Sequence, residues 1–450
     1  MQATSYSKVL FVNDTSDSPN WGSRATSFAL YDMLKEAGAS VSSLSQSSLL
    51  QADWRTTPRR EKFAVSSGLL EPPKNLLGKA SKALMNRLVQ TLPDVVPAYW
   101  KDFPSYAESV KAGRALSNLK EQLEHCDYVL INGEGGVFGR GRQSRFLFFI
   151  AYLAKQVFEK PVAFVSHTAD LSDPVLYAMA RGVYPLLDEI VFREARSAEQ
   201  AKDFLKSYKV AADAAFRYQP APKLAWQTVA GRKGYFHHFP VRHGAVDVTK
   251  PYLCIGGSSA YKGVTAELGR TFGKLCQRFV EEGHQVVLTA SAKTDEALFT
   301  PIAKELRLPL IPLATSVQQA VDILGNASLY IGGRYHGAIF AFTGGTPVVP
   351  LSAETFKMHA LIEQMGLESP VFDAHKLEQN QAEICQKANA YLLAGEAHRK
   401  IILKRVALLR ETLEQHVLGI KPKRYEKLSL LQSPRRAPTA QKPPLSIPKI

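Results

Sequence analysis

Short apolar runs alternate with helical stretches in this chain, and they do so twice, with a break between. Runs at 8–13, 41–44, 127–132, 161–166, 189–193 and 210–213 have strand length and are rich in β-branched and aromatic residues. Stretches of helical period separate most of them, at 20–34, 106–125, 146–157, 174–187 and 197–208. Strands joined through helices build parallel sheets, because two parallel strands need a long crossover between them. Residues 216–250 interrupt the rhythm with Pro220, Pro222 and Pro240. It resumes with strands at 251–256, 285–289, 310–312, 329–331 and 347–351, alternating with helices at 264–282, 294–306, 317–324 and 355–365. The 450 residues exceed the roughly 250–300 at which a single core stops growing. The expected fold is α/β, with an N-terminal Rossmann-like domain over 1–218, a connection over 219–250 and a C-terminal Rossmann-like domain over 251–420.

The remainder does not follow the rhythm. Residues 46–106 are irregular, basic and proline-containing, and read as an insertion; 377–417 reads as a long helix packing back on the body. Residues 421–450 are rich in Pro, Lys and Arg without periodicity and read as a disordered tail. The net charge of +15 asks for an acidic partner: nucleic acid, anionic lipid or a phosphorylated substrate. Residues 55–90 hold eight Lys/Arg against two acids, and 401–450 hold eleven against three. Segments 55–90 and 421–450 therefore suit peripheral contact with an anionic membrane at its inner face. A solvated basic helix over the N-terminal domain is the plainer account of the first. No aromatic-glycine RNA-binding pattern, zinc-finger spacing or helix-turn-helix signal is present, so a nucleic-acid partner is not expected.

Four cysteines, Cys126, Cys254, Cys276 and Cys385, form no CxxC pair, which argues against structural zinc and a disulfide framework. His237, His238 and His243 have no carboxylate or cysteine at ligand spacing, so no metal is expected there. The N-terminus shows no charged region followed by an apolar run, so no signal peptide is expected. The most apolar window, 146–154, falls far short of the roughly 20 residues of a membrane span. A cytoplasmic location is the expectation.

The segment 328–350 carries the chemistry. A strand at 329–331 runs into Gly332 and Gly333, expected to turn the backbone sharply. Arg334 and His336 follow where a helix should begin, and Gly344-Gly345 should end that helix before Pro347 opens the next strand. A permanent cation, a titratable imidazole and free backbone N–H groups thus meet at the carboxyl end of a parallel strand, where open α/β sheets bind ligands. This is the chemistry of an anion site beside a proton-transfer group. The plain alternative is an Arg334–carboxylate pair with His336 packed locally.

Other strand ends add candidates. Lys357 lies on the next connection, after Ser352 and Glu354, where it adds a second cation or is simply a solvated lysine. Asn20 and Gly22 precede the first helix, and Gly133, Glu134, Gly135 and Gly136 form a glycine-rich turn after a strand. Glu134 is a candidate acceptor of a hydroxyl proton, or a capping carboxylate. Arg193 ends a strand, with Glu194, Arg196 and Ser197 after it; His167 ends another; residues 254–259 form a further glycine-containing loop.

These residues resemble the polysaccharide pyruvyltransferase family. The likeness is strongest in Ile331-Gly-Gly-Arg-Tyr-His-Gly337 with Gly345-Thr-Pro-Val-Val349 and Lys357. Asn20-x-Gly22, Gly133-x-Gly-Gly136, Val191-Phe-Arg193 with Ser197, and Asp213-Ala-Ala-Phe216 resemble further family segments in the same order. Ser23 and Glu194 stand where the family usually has aspartate, and Glu134 interrupts its glycines. The resemblance implies two Rossmann-like domains facing across a cleft, in a GT-B-like arrangement. It implies phosphoenolpyruvate as donor substrate and no cofactor, with a pyruvate ketal formed on a glycan or lipid-linked glycan acceptor. His336 and Arg334 would be catalytic. Lys357, Arg193, Gly332, Gly333, Asn20, Gly22, Glu134, Gly135 and Gly136 would bind substrate. Two other functions fit the same residues: a glycosyltransferase using a nucleotide sugar, and a non-catalytic scaffold of polysaccharide assembly.

Overall fold

The computed structural model describes residues 8–51, 94–232, 234–236 and 241–420. The basic stretch 55–90 and most of the expected insertion, the pair His237-His238 and the tail 421–450 lie outside the described residues. By contact the chain forms two compact units. One draws on Met1–Asp17, Leu34–Phe192 and Ser197–Lys209, the other on Ser18–Met33, Arg193–Arg196 and Val210–Ile450. Two short pieces of the N-terminal half, Ser18–Met33 and Arg193–Arg196, therefore pack with the second unit, which a division along the sequence does not reveal.

The first unit holds a six-stranded sheet: β1 (Lys8–Asp14), β2 (Ser40–Ser45), β3 (Tyr128–Phe138), β4 (Val162–Asp170), β5 (Glu189–Phe192) and β6 (Lys209–Val210), in the order β2-β1-β3-β4-β5-β6. The pairs β1–β2, β1–β3, β3–β4 and β4–β5 are parallel. Val9 to Val12 are wholly buried, as a strand covered on both faces requires. The helix expected over 106–125 is two, Phe103–Lys111 and Ser117–His125, divided where Gly113 (φ 69°) and Leu116 (φ 50°) adopt left-handed backbone. The stretch 197–208 is helical only over Ala195–Ala201.

The glycine-rich turn expected after residue 132 is not a turn. Strand β3 continues to Phe138, with a register shift between Glu134 and Val137 opposite β4. A β-carbon at Gly133 would stand 2.4 Å from the His167 side chain and 2.5 Å from the Phe164 ring. The glycine there serves close packing between neighbouring strands. Glu134 itself has φ 44°, one of three non-glycine residues in left-handed backbone near the carboxyl ends of adjacent strands, with Asn13 (62°) and Ser166 (51°).

The second unit holds a five-stranded sheet: β7 (Tyr252–Ser258), β8 (Gln285–Thr289), β9 (Leu310–Ile311), β10 (Leu329–Gly333) and β11 (Val348–Pro350), in the order β11-β10-β7-β8-β9. All its strand pairs are parallel. This is the Rossmann order, and its direction reverses between β7 and β10. The crevice at the carboxyl ends of those two strands is thus the natural ligand position. The C-terminal helix Gln381–Arg410, kinked at Gly395, returns to this unit; its Ile384, Cys385 and Ala388 join Leu253, Ile255, Phe272 and Ile331 in one core. Each large apolar side chain so buried contributes about 1.5–3 kcal/mol. No helix among the described residues is long and apolar enough to cross a membrane.

Candidate functional site

Strand β10 brings Arg334 to the switch point of the second sheet. Gly332 and Gly333 belong to the strand, and neither has left-handed backbone. Their expected role in a sharp turn is replaced by a packing role. The Tyr330 hydroxyl occupies the space that β-carbons would need: 2.5 Å from one at Gly256, 2.5 Å from one at Gly332 and 2.7 Å from one at Gly337. Tyr330 and Gly332 share one face of the strand, two residues apart, so the long ring lies over the glycines. A β-carbon at Gly333 would meet the Ser258 side chain at 2.5 Å.

Arg334 occupies the N-cap of the helix Tyr335–Thr343. Its Nε donates to both carboxylate oxygens of Asp295 at 3.1 and 3.0 Å, and its Nη2 donates to Asp295 Oδ1 at 2.7 Å and Thr294 Oγ1 at 2.6 Å. Asp295 also accepts from the backbone and hydroxyl of Ser291. Burial pushes the Asp295 carboxyl up, against the opposing pull of Arg334. The guanidinium is therefore fixed in place and largely charge-compensated, with Nη1 making no hydrogen bond among the described residues.

Positive charge at this edge is spread over four connections. Lys262 follows β7, Lys293 opens the helix after β8, Arg334 follows β10, and Lys357 opens the helix Lys357–Met365 after β11. A lysine in the first turn of a helix is opposed by the helix dipole, by about 0.3–1 kcal/mol at the surface. Lys293 and Lys357 both stand in that opposed position, each at the first residue of its helix. Lys262 pairs with Glu354 at 3.1 Å.

His336 turns to different partners. Its Nε2 lies 3.0 Å from Thr26 Oγ1 and 3.4 Å from Asp213 Oδ2. Thr26 Oγ1 is in turn 3.2 Å from Asp213 Oδ1 and 3.2 Å from the Gly22 carbonyl. Asp213 is fully buried and accepts from Arg193 Nη1 at 2.9 Å and the Ala215 backbone N–H at 2.9 Å. Burial alone would raise the Asp213 carboxyl; His336 and Arg193 overcome it and hold the group well below the usual carboxylate range. The site's second anchor is the start of the helix Trp21–Glu36, which docks through Trp21 Nε1 to the Leu313 carbonyl at 2.9 Å and Arg24 Nη2 to the Thr315 carbonyl at 2.8 Å.

The sequence candidates divide accordingly. Arg193, expected to meet an anion, is 1% exposed. It is engaged by Asp213, by Glu194 at 3.7 Å and by the Tyr335 ring, whose centroid lies 4.2 Å from its guanidinium carbon. It orders the interior of the site. Asn20 caps the first helix, its Oδ1 accepting from the N–H groups of Gly22 and Ser23 at 2.9 and 3.3 Å. Gly22 lies against the imidazole of His336. Ser352 is tied to Ala374 and Ser258, and Arg196 pairs with Glu363. Glu134, Gly135 and Gly136 belong to strand β3 of the first unit. There too His167 is buried, 2.8 Å from the Tyr184 hydroxyl, and Ser197 Oγ accepts from the Ala169 N–H at 2.7 Å. All four cysteines are buried and unbridged. Thr26, Asp295 and Lys293 escaped sequence reasoning, since nothing in their local pattern distinguishes them; Asp213 appeared only as part of a motif.

A family model described as polysaccharide pyruvyl transferase matches residues 20–354, a span that holds every site residue named above except Lys357. No curated protein matches the chain in sequence. Among solved structures, α,α-trehalose 6-phosphate synthase from Burkholderia multivorans is 12% identical, with 96% of this chain and 100% of that chain covered at a TM-score of 0.51. UDP-GlcNAc 2-epimerase from Neisseria meningitidis, bound to UDP-GlcNAc, is 14% identical, with 90% and 99% covered at a TM-score of 0.49. The first likeness is one of fold.

Proposed function

Since the chain belongs to the polysaccharide pyruvyl transferase family, we propose that it moves the pyruvyl unit of phosphoenolpyruvate onto a saccharide, closing a ketal on two hydroxyls. The observation that supports this reading best is the carboxyl edge of the second sheet. Arg334, Lys293 and Lys357 all follow strands of this sheet at that edge, Arg334 at the N-terminus of Tyr335–Thr343 beside the switch point, and the donor carries both a phosphate and a carboxylate. His336 begins that same helix and supplies proton transfer.

The chemistry balances with one donor and one diol. A proton adds to the methylene carbon of phosphoenolpyruvate, leaving positive charge on the adjacent carbon. One acceptor hydroxyl attacks that carbon, forming a C–O bond and losing its proton. The bond to phosphate oxygen then breaks and phosphate departs. The second hydroxyl attacks the same carbon, and the products are the cyclic ketal and inorganic phosphate. Of the two hydroxyl protons, one balances the new methyl group and one leaves with phosphate. The scheme uses phosphoenolpyruvate as a substrate and calls on no cofactor. Because Asp295 compensates Arg334, the cations beside it and the helix N-terminus carry much of the donor's charge in this reading.

The test is phosphate release from phosphoenolpyruvate with a panel of glycan and lipid-linked glycan acceptors, comparing wild type with His336→Gln. Acceptor-dependent release that the variant loses supports the reading. Stabilisation by a nucleotide sugar but not by phosphoenolpyruvate, in a thermal-shift titration, would overturn it in favour of glycosyl transfer.

A further inference from the structure

We propose that Asp213 is the positioning residue for His336, and that Nδ1 is the ring nitrogen that exchanges the proton. The neighbours of Nε2 are Thr26 Oγ1 at 3.0 Å and Asp213 Oδ2 at 3.4 Å. Thr26 has one hydroxyl proton and two other acceptors within reach, Asp213 Oδ1 and the Gly22 carbonyl, each at 3.2 Å. Donating to either leaves a lone pair turned to His336. The carboxylate cannot take the donor role in its ionised form. It is held by donors on both oxygens, Arg193 Nη1 on Oδ2 and the Ala215 N–H on Oδ1, each at 2.9 Å. Both neighbours of Nε2 are therefore acceptors, and the neutral ring places its proton there. Nδ1 then carries the lone pair in the neutral ring and the exchangeable proton in the charged one.

Gly22 packs against the ring beside Nδ1, Cγ and Cβ, so the absence of a side chain there is what lets the imidazole take this position. The charged and titratable groups against the imidazole are Asp213 from the turn after β6 and Tyr335 on its own helix; behind them Arg193, at the end of β5, pairs with Asp213 and Glu194. Arg193 lies over Tyr335 and is bonded to Asp213, so it restrains both the ring's neighbour and its carboxylate. The logic is that of a buried carboxylate fixing the tautomer of a catalytic histidine, with the roles of the two nitrogens exchanged relative to the serine-protease triad.

The proposal rests on the pyruvyl-transfer reading only for the meaning of the exchanged proton; the tautomer is a property of the protein alone. The experiment is ¹⁵N NMR of full-length protein labelled at histidine, with His336→Gln identifying the His336 signals. Wild type is expected to carry the neutral proton on Nε2. Asp213→Asn should move most of the ring to the Nδ1–H form and reduce phosphate release about 10⁴-fold, the scale seen when a triad carboxylate is made an amide. Thr26→Val keeps the carboxylate and should keep the Nε2–H form, so it decides the matter if Asp213→Asn does not fold. An Nδ1–H tautomer in wild type or in Thr26→Val would overturn the proposal, even in an active enzyme. An Nε2–H tautomer in a wild type that releases no phosphate from phosphoenolpyruvate would sustain the tautomer and remove pyruvyl transfer instead.

Discussion

Gly22 and His336 touch so closely that a β-carbon at Gly22 would stand 2.0 Å from the imidazole Nδ1. No side chain fits there without moving the ring. Helix propensity alone favours alanine over glycine in a helix by roughly 0.5–1 kcal/mol. Gly22→Ala is expected to fold with a somewhat lowered melting temperature, because the overpacking typically costs about 1–3 kcal/mol against that gain, while phosphate release falls about 100-fold, the cost of a misplacement of about 1 Å. An undiminished rate with the alanine in place would show that the ring does not act from this position.

Arg193 and Asp213 form a buried ion pair whose loss should appear as instability. Arg193→Met leaves Asp213 without its charge partner and should cost about 3–5 kcal/mol in denaturant unfolding. Adding Asp213→Asn to it should recover part of that loss, because the second change removes the orphaned charge. A variant with unchanged unfolding and a raised KM for phosphoenolpyruvate would mean that Arg193 meets substrate after all.

The same carboxylate sets an acid limb of stability. Its folded-state value lies below the usual carboxylate range, held there by His336 and Arg193 against burial. Its contribution is complete above the unfolded value of about 3.9 and is lost as pH falls through the folded value. Asp213→Asn should thus destabilise most at neutral pH and progressively less in acid. Equal destabilisation at every pH would contradict the assignment.

Arg334 and Asp295 make the opposite case. Burial holds the Asp295 carboxyl above its ordinary value even with Arg334 beside it. A raised carboxyl costs stability as pH rises above its unfolded value. Arg334→Met should remove the compensating cation and destabilise strongly at neutral pH, less in acid, with Asp295→Asn relieving the defect in the double variant. Circular dichroism melts across pH measure this directly.

Lys293 and Lys357 are expected to serve donor binding rather than folding. Each change to Met should raise the KM for phosphoenolpyruvate several-fold with little loss of stability, since surface charges at helix ends are worth about 0.3–1 kcal/mol. Added salt should narrow the difference from wild type by screening the attraction. Insensitivity of KM to both substitutions would place the donor elsewhere.

The alternation of strands and helices made both sheets legible, including the order along the chain of the eleven strands among the described residues. Their order across each sheet was not, because pairing is set by which faces bury against which. The Arg334-x-His336 spacing marked the start of the helix after β10, and the match of residues 20–354 to a pyruvyl transferase family agrees with the resemblance those residues suggested. Reading the glycines as turn residues failed at Gly133, Gly332 and Gly333. Their reason is a neighbour distant in sequence or two residues away on the same face: His167, Ser258 or Tyr330. Arg193 illustrates the same limit, since a strand-end arginine looks alike whether it meets solvent or is 1% exposed.

What the sequence determined by itself was the local chemistry: two α/β rhythms, a cation and an imidazole two residues apart at a helix start, and a strongly basic balance of charge. Local spacing suffices for these because helix and strand periodicity are short-range. Only the tertiary structure decided that Arg334 and His336 part company, one to Asp295 and the other to Thr26 and Asp213. Those three partners come from three different connections, after β8, β1 and β6, and are 39, 310 and 123 residues away from the groups they hold. The orientation of a hydrogen bond depends on which donors and acceptors folding brings within about 3 Å, and a linear pattern carries no record of that.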